Sequence, residues 1–370
     1  MEYETIIIGS GIAGCSIGHF LQKYGQKVLI LDRSAIAGSG GSGSAGAFVS
    51  PKIGKGSSLQ TLTNEAYIFA KDFYLNNYPK YFHQTGVIRI PKDKIDALKF
   101  QEYKRFNKSQ YKDIKDYELL DMGIKSGFDS FLFEDAGVCD APLMCQEILS
   151  SIPHKQRLVE DINYIDGYWH IDEFKAKNIV LATGYENHLF DMRYMGVKGT
   201  WGSRGDYYSD LDLSVSMHQS ISVSANINGV IKIGATHIKS KEPCMICDGK
   251  PLSSLEEKAS LMVDSSDFKL KQTYCGMRAG SKDYFPLVGG VIDVEDMFKK
   301  YPKITRGERV KEPMSKIDNL YILNGLGGRG FVFAPLMAKI LAEHIVNNRE
   351  ITKEINPDRL FLKWCRKLRS

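Results

Sequence analysis

Hydrophobic and polar positions change their period three times within the first thirty residues. Thr5, Ile6, Ile7 and Ile8 form a mostly apolar, β-branched run, the pattern of a parallel strand buried on both faces. Over residues 15–24 the apolar positions Ile17, Phe20, Leu21 and Tyr24 recur at helical spacing, and Gly25 ends that helix. Residues 27–31 return to a strand pattern, closed by Asp32. Between the first strand and the helix stand Gly9, Gly11 and Gly14, with Ile12 and Ala13 inside the turn. A glycine turn between strand and helix, followed by a second strand and an acid, predicts a dinucleotide-binding unit. Gly9 permits the tight turn, Gly11 lets the backbone approach a pyrophosphate at the helix N-terminus, and Gly14 lets helix and strand pack closely. Asp32 is placed to accept from a ribose, with Arg33 beside it, and its charge argues against a 2′-phosphate.

Further along, residues 36–46 are almost all glycine, serine and alanine, followed by Ala47. A flexible linker here would cut the nucleotide unit in half. A loop of Ser44, Ala45, Gly46 and Ala47 that offers backbone N–H groups to the cofactor fits the position better. Residues 59–77 read as a helix, 86–91 as a short strand, 92–122 as mostly helical and lysine-rich, and 142–149 as a helix begun by a proline. Residues 176–181 form another buried strand, which runs into Ala182, Thr183 and Gly184. Residues 200–238 read as antiparallel strands with a turn at 226–229, and 319–324 as a strand. Gly325, Gly327, Gly328, Arg329, Gly330 and Phe331 then lead into a helix over 334–345, with Pro335 in its first turn. These patterns predict an α/β fold. A discontinuous Rossmann-like nucleotide domain takes residues 1–80, 134–198 and 316–350; a β-rich substrate domain takes 81–133 and 199–315; 351–370 is a basic C-terminal tail.

Composition adds boundaries. A chain of 370 residues exceeds the usual single core, which agrees with two domains. No run approaches the ~20 apolar residues of a membrane span, and no cleavable leader is visible, so neither a membrane nor export is expected. Seven scattered cysteines suit a reducing cytoplasm with free thiols. The net charge of +5 is mild. Its distribution is uneven, with basic sets at 104–115, 299–311 and 359–369. Such sets are solvated faces or polyanion contacts.

Taken together, the first glycine turn with Asp32, the small-residue loop, the Leu181 to Gly184 turn and the 325–330 glycine turn resemble the D-amino-acid oxidase / glycine oxidase superfamily of FAD enzymes. The segment 274–289, with Gly276, Arg278 and Gly280, is similar to the substrate-arginine segment of a narrower family. That family is the FAD-dependent oxidoreductase domain of the bifunctional tRNA 5-methylaminomethyl-2-thiouridine biosynthesis enzymes, MnmC. Residues 326–336 and the closing Asn356, Pro357, Asp358, Arg359 and Leu360 are similar to its C-terminal segment. The resemblance implies a glycine oxidase-like fold, non-covalent FAD, and tRNA as partner through the anticodon wobble uridine. It implies oxidative removal of a carboxymethyl group from carboxymethylaminomethyl-(2-thio)uridine, giving the aminomethyl nucleoside and glyoxylate. Because the chain begins at the FAD motif, the methylation that this family couples to oxidation is expected on a separate methyltransferase.

The chemistry sets the candidates. An N-substituted glycine must be held by its carboxylate, with its α-carbon hydrogen aimed at the flavin. The resemblance places that role on Arg278, whose guanidinium fork suits a carboxylate. Arg329 is a second carboxylate contact or a flavin contact. No metal is expected. His237, Tyr207 and Tyr208 either face the substrate or serve packing; Trp201, Tyr207 and Phe285 are stacking candidates or core. Cys275 is a buried structural thiol or, as in some relatives, a flavin tether, and the Cys244/Cys247 pair is expected in a loop with free thiols. Free glycine or sarcosine is the alternative substrate, and a non-catalytic flavoprotein that holds tRNA or a methyltransferase is the third reading.

Overall fold

Strand Glu2–Ile8 pairs in parallel with Val28–Asp32 on one side and Phe174–Leu181 on the other. The register puts Ile8 level with Leu31 and Leu181, so all three strands stop at one edge. The computed structural model describes residues 1–186, 188–240, 242–244 and 246–369; Asn187, Lys241, Met245 and Ser370 lie outside the described residues. Phe174–Leu181 forks on its far side, pairing first with Tyr168–Ile171 and then, in parallel, with Lys316–Asn324. Leu287–Ile292 joins Lys316–Asn324 as an antiparallel neighbour. That strand belongs to the first sheet, although its sequence position falls inside the segment expected for the second domain.

Alternation sorts the side chains onto two faces. Ile7, Val28 and Ile30 pack beneath helices Ile12–Lys23, Ala141–Ser150 and Gly330–Asn347. Ile6, Ile8, Leu29 and Leu31 face a second cluster that includes Tyr194, Leu360, Phe361 and Cys365. The residues read as a basic tail therefore fold onto the sheet: Asp358–Cys365 is a helix whose apolar side is buried. Lys363 stays on the outer side because Leu360, Phe361 and Cys365 turn inward.

The helix expected over 334–345 begins four residues earlier, at Gly330, and runs through Pro335. Proline cannot donate to the carbonyl four residues back. The buried Tyr74 hydroxyl donates to the Phe331 carbonyl instead (2.9 Å), which lets the helix start early without an orphaned acceptor. Residues Gly327–Asn347 are long and apolar enough to cross a membrane by length and composition, contrary to the sequence reading that no run approached this. Here the helix lies against Ile12–Lys23 and Ser58–Asn77.

The second sheet, of nine strands among the described residues, is centred on Lys198–Tyr208. Lys269–Gly280 runs antiparallel along one side of it, and Val230–Gly234 and Ile238–Lys239 along the other. The sheet continues through Ser222–Val223, Ser216–His218, Val87–Arg89, Ser130–Phe133 and Lys112–Ile114. Its core includes Ile88, Met217, Ile231, Ile233 and Leu255. Asn228 and Gly229, both at positive φ, make the tight turn before Val230.

Candidate active site

Where the parallel strands end, a cavity of about 950 Å³ opens between the two sheets. Crevices at the carboxyl ends of parallel strands are where α/β sheets bind ligands. One end is the first glycine turn. Gly9 adopts φ +107°, and a Cβ there would lie 2.4 Å from the Ala182 carbonyl oxygen. A Cβ on Gly14 would lie 1.8 Å from the Gly9 carbonyl oxygen. Gly11 is the N-cap of the first helix and lines the cavity. Asp32 accepts from the Ser10 backbone N–H (2.6 Å) and hydroxyl (2.9 Å) through one oxygen and from the Ser34 N–H (2.8 Å) through the other. The acid thus shapes the turn as well as facing the cavity. Arg33 reaches Glu186 in an exposed ion pair of 2.5 Å at the rim.

The small-residue loop is a packed wall. The Ile12 N–H donates to Ser42 Oγ (3.0 Å), the Gly38 N–H to the Ser10 carbonyl (3.0 Å), and the Gly43 N–H to the Gly38 carbonyl (2.7 Å). Added Cβ atoms on Gly41 and Gly276 would come within 2.5 Å of the Met277 carbonyl oxygen and 2.6 Å of Ser44 Oγ. Glycine at these points lets the loop press against the strand that carries Arg278. The Ser44 hydroxyl donates to the Cys275 carbonyl, and the buried Arg204 guanidinium donates to the Ala45 carbonyl while pairing with Asp206.

Most residues expected to hold the cofactor do line this one cavity. Gly9, Gly11, Ile12, Ala13, Asp32, Arg33, Ala45, Gly46, Ala47, Ala182, Thr183, Gly184, Gly325, Gly327, Gly328, Arg329, Gly330 and Phe331 all reach it. Gly14 and Ser44 are outside the lining: Gly14 is buried in the helix–strand contact and Ser44 is turned toward Cys275. A long dinucleotide suits this arrangement. The two glycine turns adjoin, a Cβ on Gly330 lying 3.3 Å from Ile12, the first helix presents its N-terminus, and a Cβ added at Gly184 or Gly328 would meet no neighbouring atom within 4 Å.

Part of the cavity wall is cationic. Arg278 donates one Nη to the Thr236 carbonyl (3.2 Å), while its Nη1 is buried without a partner among the described residues. Burial lowers the Arg278 pKa, and burial pulls Arg329 down to about 10. Arg329 donates to the Ser50 carbonyl (3.1 Å). His237 lines the same wall, its pKa lowered by burial and then by Arg278. Neither arginine has an ion-paired carboxylate among the described residues, so this part of the wall is arranged for an anion.

Other expectations move. Tyr207 is buried in the second core and donates to Glu256 (2.8 Å), and Tyr208 points to solvent. Trp201 does reach the cavity, with its indole N–H on the Ile246 carbonyl (3.0 Å). Tyr284, rather than Phe285, stands at the cavity, 76% exposed and at φ +68°. Cys247 and Cys275 form a disulfide, which corrects the expectation of a free thiol at Cys247 and of a buried thiol or flavin tether at Cys275. The pairing joins a loop to a strand 28 residues away, a contact that spacing alone does not encode. Lys52, Arg89 and His218 also line the cavity and carried no local sequence signal, whereas Ser42, also in the lining, belongs to the small-residue loop.

The closing motif has a structural role. Arg359 grips Asp283 with two nitrogens (2.8 and 2.9 Å) and the Phe285 carbonyl with one of them (3.0 Å). Asp358 pairs with Lys316. The C-terminal helix thereby fixes the Lys282 to Phe285 turn at the cavity mouth.

The chain is 25% identical over 98% of its length to the tRNA 5-methylaminomethyl-2-thiouridine biosynthesis bifunctional protein MnmC of Legionella pneumophila. It is 22% identical over 97% of its length to the protein of that name from Campylobacter fetus. It spans 58% and 60% of those relatives' own lengths. In structure it is similar to glycine oxidase from Bacillus cereus, with a TM-score of 0.78 at 18% identity, covering 94% of this chain and 96% of that one. Iminodiacetate oxidase from Chelativorans gives 0.75 at 15% identity, covering 96% and 99%. The profile of the DAO family, FAD dependent oxidoreductase, matches residues 4–344. With nearly the whole chain inside that profile and both glycine turns on one cavity, this protein is a member of the DAO family of FAD dependent oxidoreductases.

Proposed function

We propose that the protein oxidises the carboxymethylaminomethyl group of a tRNA wobble uridine, releasing glyoxylate and leaving the aminomethyl nucleoside. The observation that carries the chemistry is Arg278, a buried guanidinium in the cavity wall whose Nη1 has no partner among the described residues. A guanidinium in that state calls for a carboxylate, and a glycine-type amine brings one. The tRNA assignment is supported by the relatives named above and by the charge around the mouth. There Lys282 lies against Lys367, with Lys363 and Lys198 close enough to lower its pKa further.

When bound, FAD accepts the hydride that leaves the glycyl α-carbon. The first glycine turn, Asp32, Thr183 and the 325–331 turn are the groups that would hold it. Arg278 binds the carboxylate and so fixes which α-hydrogen faces inward. The amine must be neutral for its lone pair to expel hydride, and the surrounding cationic charge favours the neutral amine. Loss of hydride and of the N–H proton gives an imine on the substrate. Water adds to the imine carbon, and C–N cleavage yields glyoxylate and the primary amine.

The test is anaerobic bleaching of the purified yellow protein. Under-modified tRNA carrying the carboxymethylaminomethyl group should bleach it, and glyoxylate should appear in equal amount. Bleaching by glycine or sarcosine with none by that tRNA would transfer the reading to small amines. A protein that bleaches with neither is no oxidase of this class.

A further inference from the structure

Beyond Arg278 the cavity holds a second set of cations that the carboxylate does not require. Arg89 ends the strand Val87–Arg89, and in the parallel register His218 is its direct neighbour on Ser216–His218. Both line the cavity, with Lys52 and Arg329. The Arg329 bond to the Ser50 carbonyl brings that guanidinium to the segment carrying Lys52. Arg89 Nε is buried with no hydrogen-bond partner among the described residues, and neither Arg89 nor Lys52 has an ion-paired carboxylate there. The acids of the lining, Asp32 and Glu186, sit by the first glycine turn. His218 is held by Ser222 through Nδ1 (2.7 Å).

These groups raise one another's cost of charging. Burial pulls Arg89 down to about 9, and Arg329 adds to the effect against a small opposing pull from Asp96. Lys52 is lowered by burial, then Arg329, then Arg89. His218 is lowered by burial, then by Arg89, Arg329, Lys92 and His237. Several repelling cations with one orphaned N–H form a site that an oxyanion would relieve. It is distinct from the N-terminus of the first helix on the other sheet, which would hold the cofactor's pyrophosphate. Arg89 and His218 belong to the second sheet, which faces it.

We propose that the cavity carries a second anion subsite, formed by Lys52, Arg89 and His218, which takes a phosphate of the nucleotide bearing the amine. This rests on the tRNA reading above. The shared chemistry is an oxyanion held some way from the glycyl carboxylate, so a second carboxylate on a small amine is the other possible source. Two anchors at different points would fix the nucleotide's orientation as well as its affinity.

Anaerobic flavin reduction in the holoenzyme tests it with five substrates: 5-carboxymethylaminomethyluridine, its 5′- and 3′-monophosphates, glycine and iminodiacetate. The better of the 5′- and 3′-monophosphates should exceed the nucleoside in kcat/KM by about tenfold or more, the scale of a charge-assisted contact. Arg89→Met, which keeps the bulk, should bring that ratio close to one, and Arg89→Lys should retain part of it. A binding readout needs no turnover: inorganic phosphate should perturb the flavin spectrum saturably, and Arg89→Met should weaken it about tenfold. Equal rates for nucleoside and both monophosphates, with phosphate binding indifferent to Arg89, overturn the subsite while the tRNA reading stands. If no nucleoside reacts but iminodiacetate beats glycine only when Arg89 is present, the oxyanion subsite holds and the tRNA reading falls. If Arg89→Met slows every substrate equally and shifts the flavin potential, the charge serves the cofactor and the proposal is wrong.

Discussion

Arg278 shows what one residue contributes when its surroundings are settled. Its strand partner across the sheet is Thr200, its second Nη is tied to Thr236, and Nη1 is buried without a partner among the described residues. Replacing it with alanine removes the fork and leaves the loop–strand packing at Gly41 and Gly276 intact. We expect Arg278→Ala to lower kcat/KM for any glycine-type substrate by about a hundredfold, the loss of a bidentate charge-assisted contact. FAD should stay bound. Arg278→Lys should recover only part, since an ammonium is a point charge without the planar fork. Stopped-flow flavin reduction checks both, and normal turnover in Arg278→Ala would remove the residue from the site. The cysteines offer a second check at this scale. Cys247 and Cys275 are joined, and Cys15, Cys139, Cys145, Cys244 and Cys365 are free. Thiol titration of the denatured, unreduced protein should therefore count five groups, rising to seven after reduction. With Cys275 paired, acid precipitation should leave FAD in the supernatant; a yellow pellet would point to a tether.

Between elements, the joint that matters most links the second sheet to the small sheet of Phe48–Val49, Phe82–His83 and Gly137–Cys139. Lys232, buried in Val230–Gly234, donates to Asp140 (2.5 Å), and His83 shares the same carboxylate (2.9 Å). Burial alone would raise the Asp140 pKa; the His83 hydrogen bond and Lys232 outweigh it and push the carboxyl well below its usual range. The folded value lies below the unfolded value of about 3.9. The stabilisation is therefore complete above about pH 4 and lost as pH falls toward the folded pKa. Lys232→Met should cost about 2–3 kcal/mol at pH 7, less than a fully buried pair because Asp140 keeps some water contact. Denaturant melts at pH 7 and pH 3 check this, and the gap from wild type should narrow at the lower pH. None of this joint is visible in sequence, because Lys232 and Asp140 stand 92 residues apart. The first strand–helix–strand unit was legible for the opposite reason: its turn, helix stop and acid are short-range consequences of residue type. Arg278 was reached through resemblance. Lys52, Arg89 and His218 had no signature, because single charged residues acquire meaning only when strand pairing brings them together. The helix start at Gly330 was missed because Pro335 looks like a first-turn residue until Tyr74 is known to cap Phe331.

Across the whole molecule the basic sets separate by whether they are already matched. Lys104, Lys112 and Lys115 pair with Asp113, Glu134 and Asp129, and Lys299 and Lys300 with Glu295 and Asp296. Arg359 is turned inward onto Asp283. Beside the cavity mouth Lys282 meets Lys367, Lys363 and Lys198 as like charges, next to the exposed ring of Tyr284. Like charges held together on a surface are relieved by a polyanion, and an aromatic at the mouth can stack on a splayed base. Phosphate contacts of this kind release counterions, so binding weakens as salt rises, by a log–log slope of about 0.7 per single-strand phosphate. Charge reversal at Lys282→Glu with Lys363→Glu should lower kcat/KM for tRNA about tenfold at low salt and flatten the salt slope by about one. The ratio of tRNA to nucleoside rates is the quantity to follow, since the nucleoside carries none of the flanking phosphates. An unchanged ratio and slope would remove these lysines from any tRNA contact. A loss confined to Tyr284→Ala, with the lysine variants normal, would assign the mouth to base stacking alone.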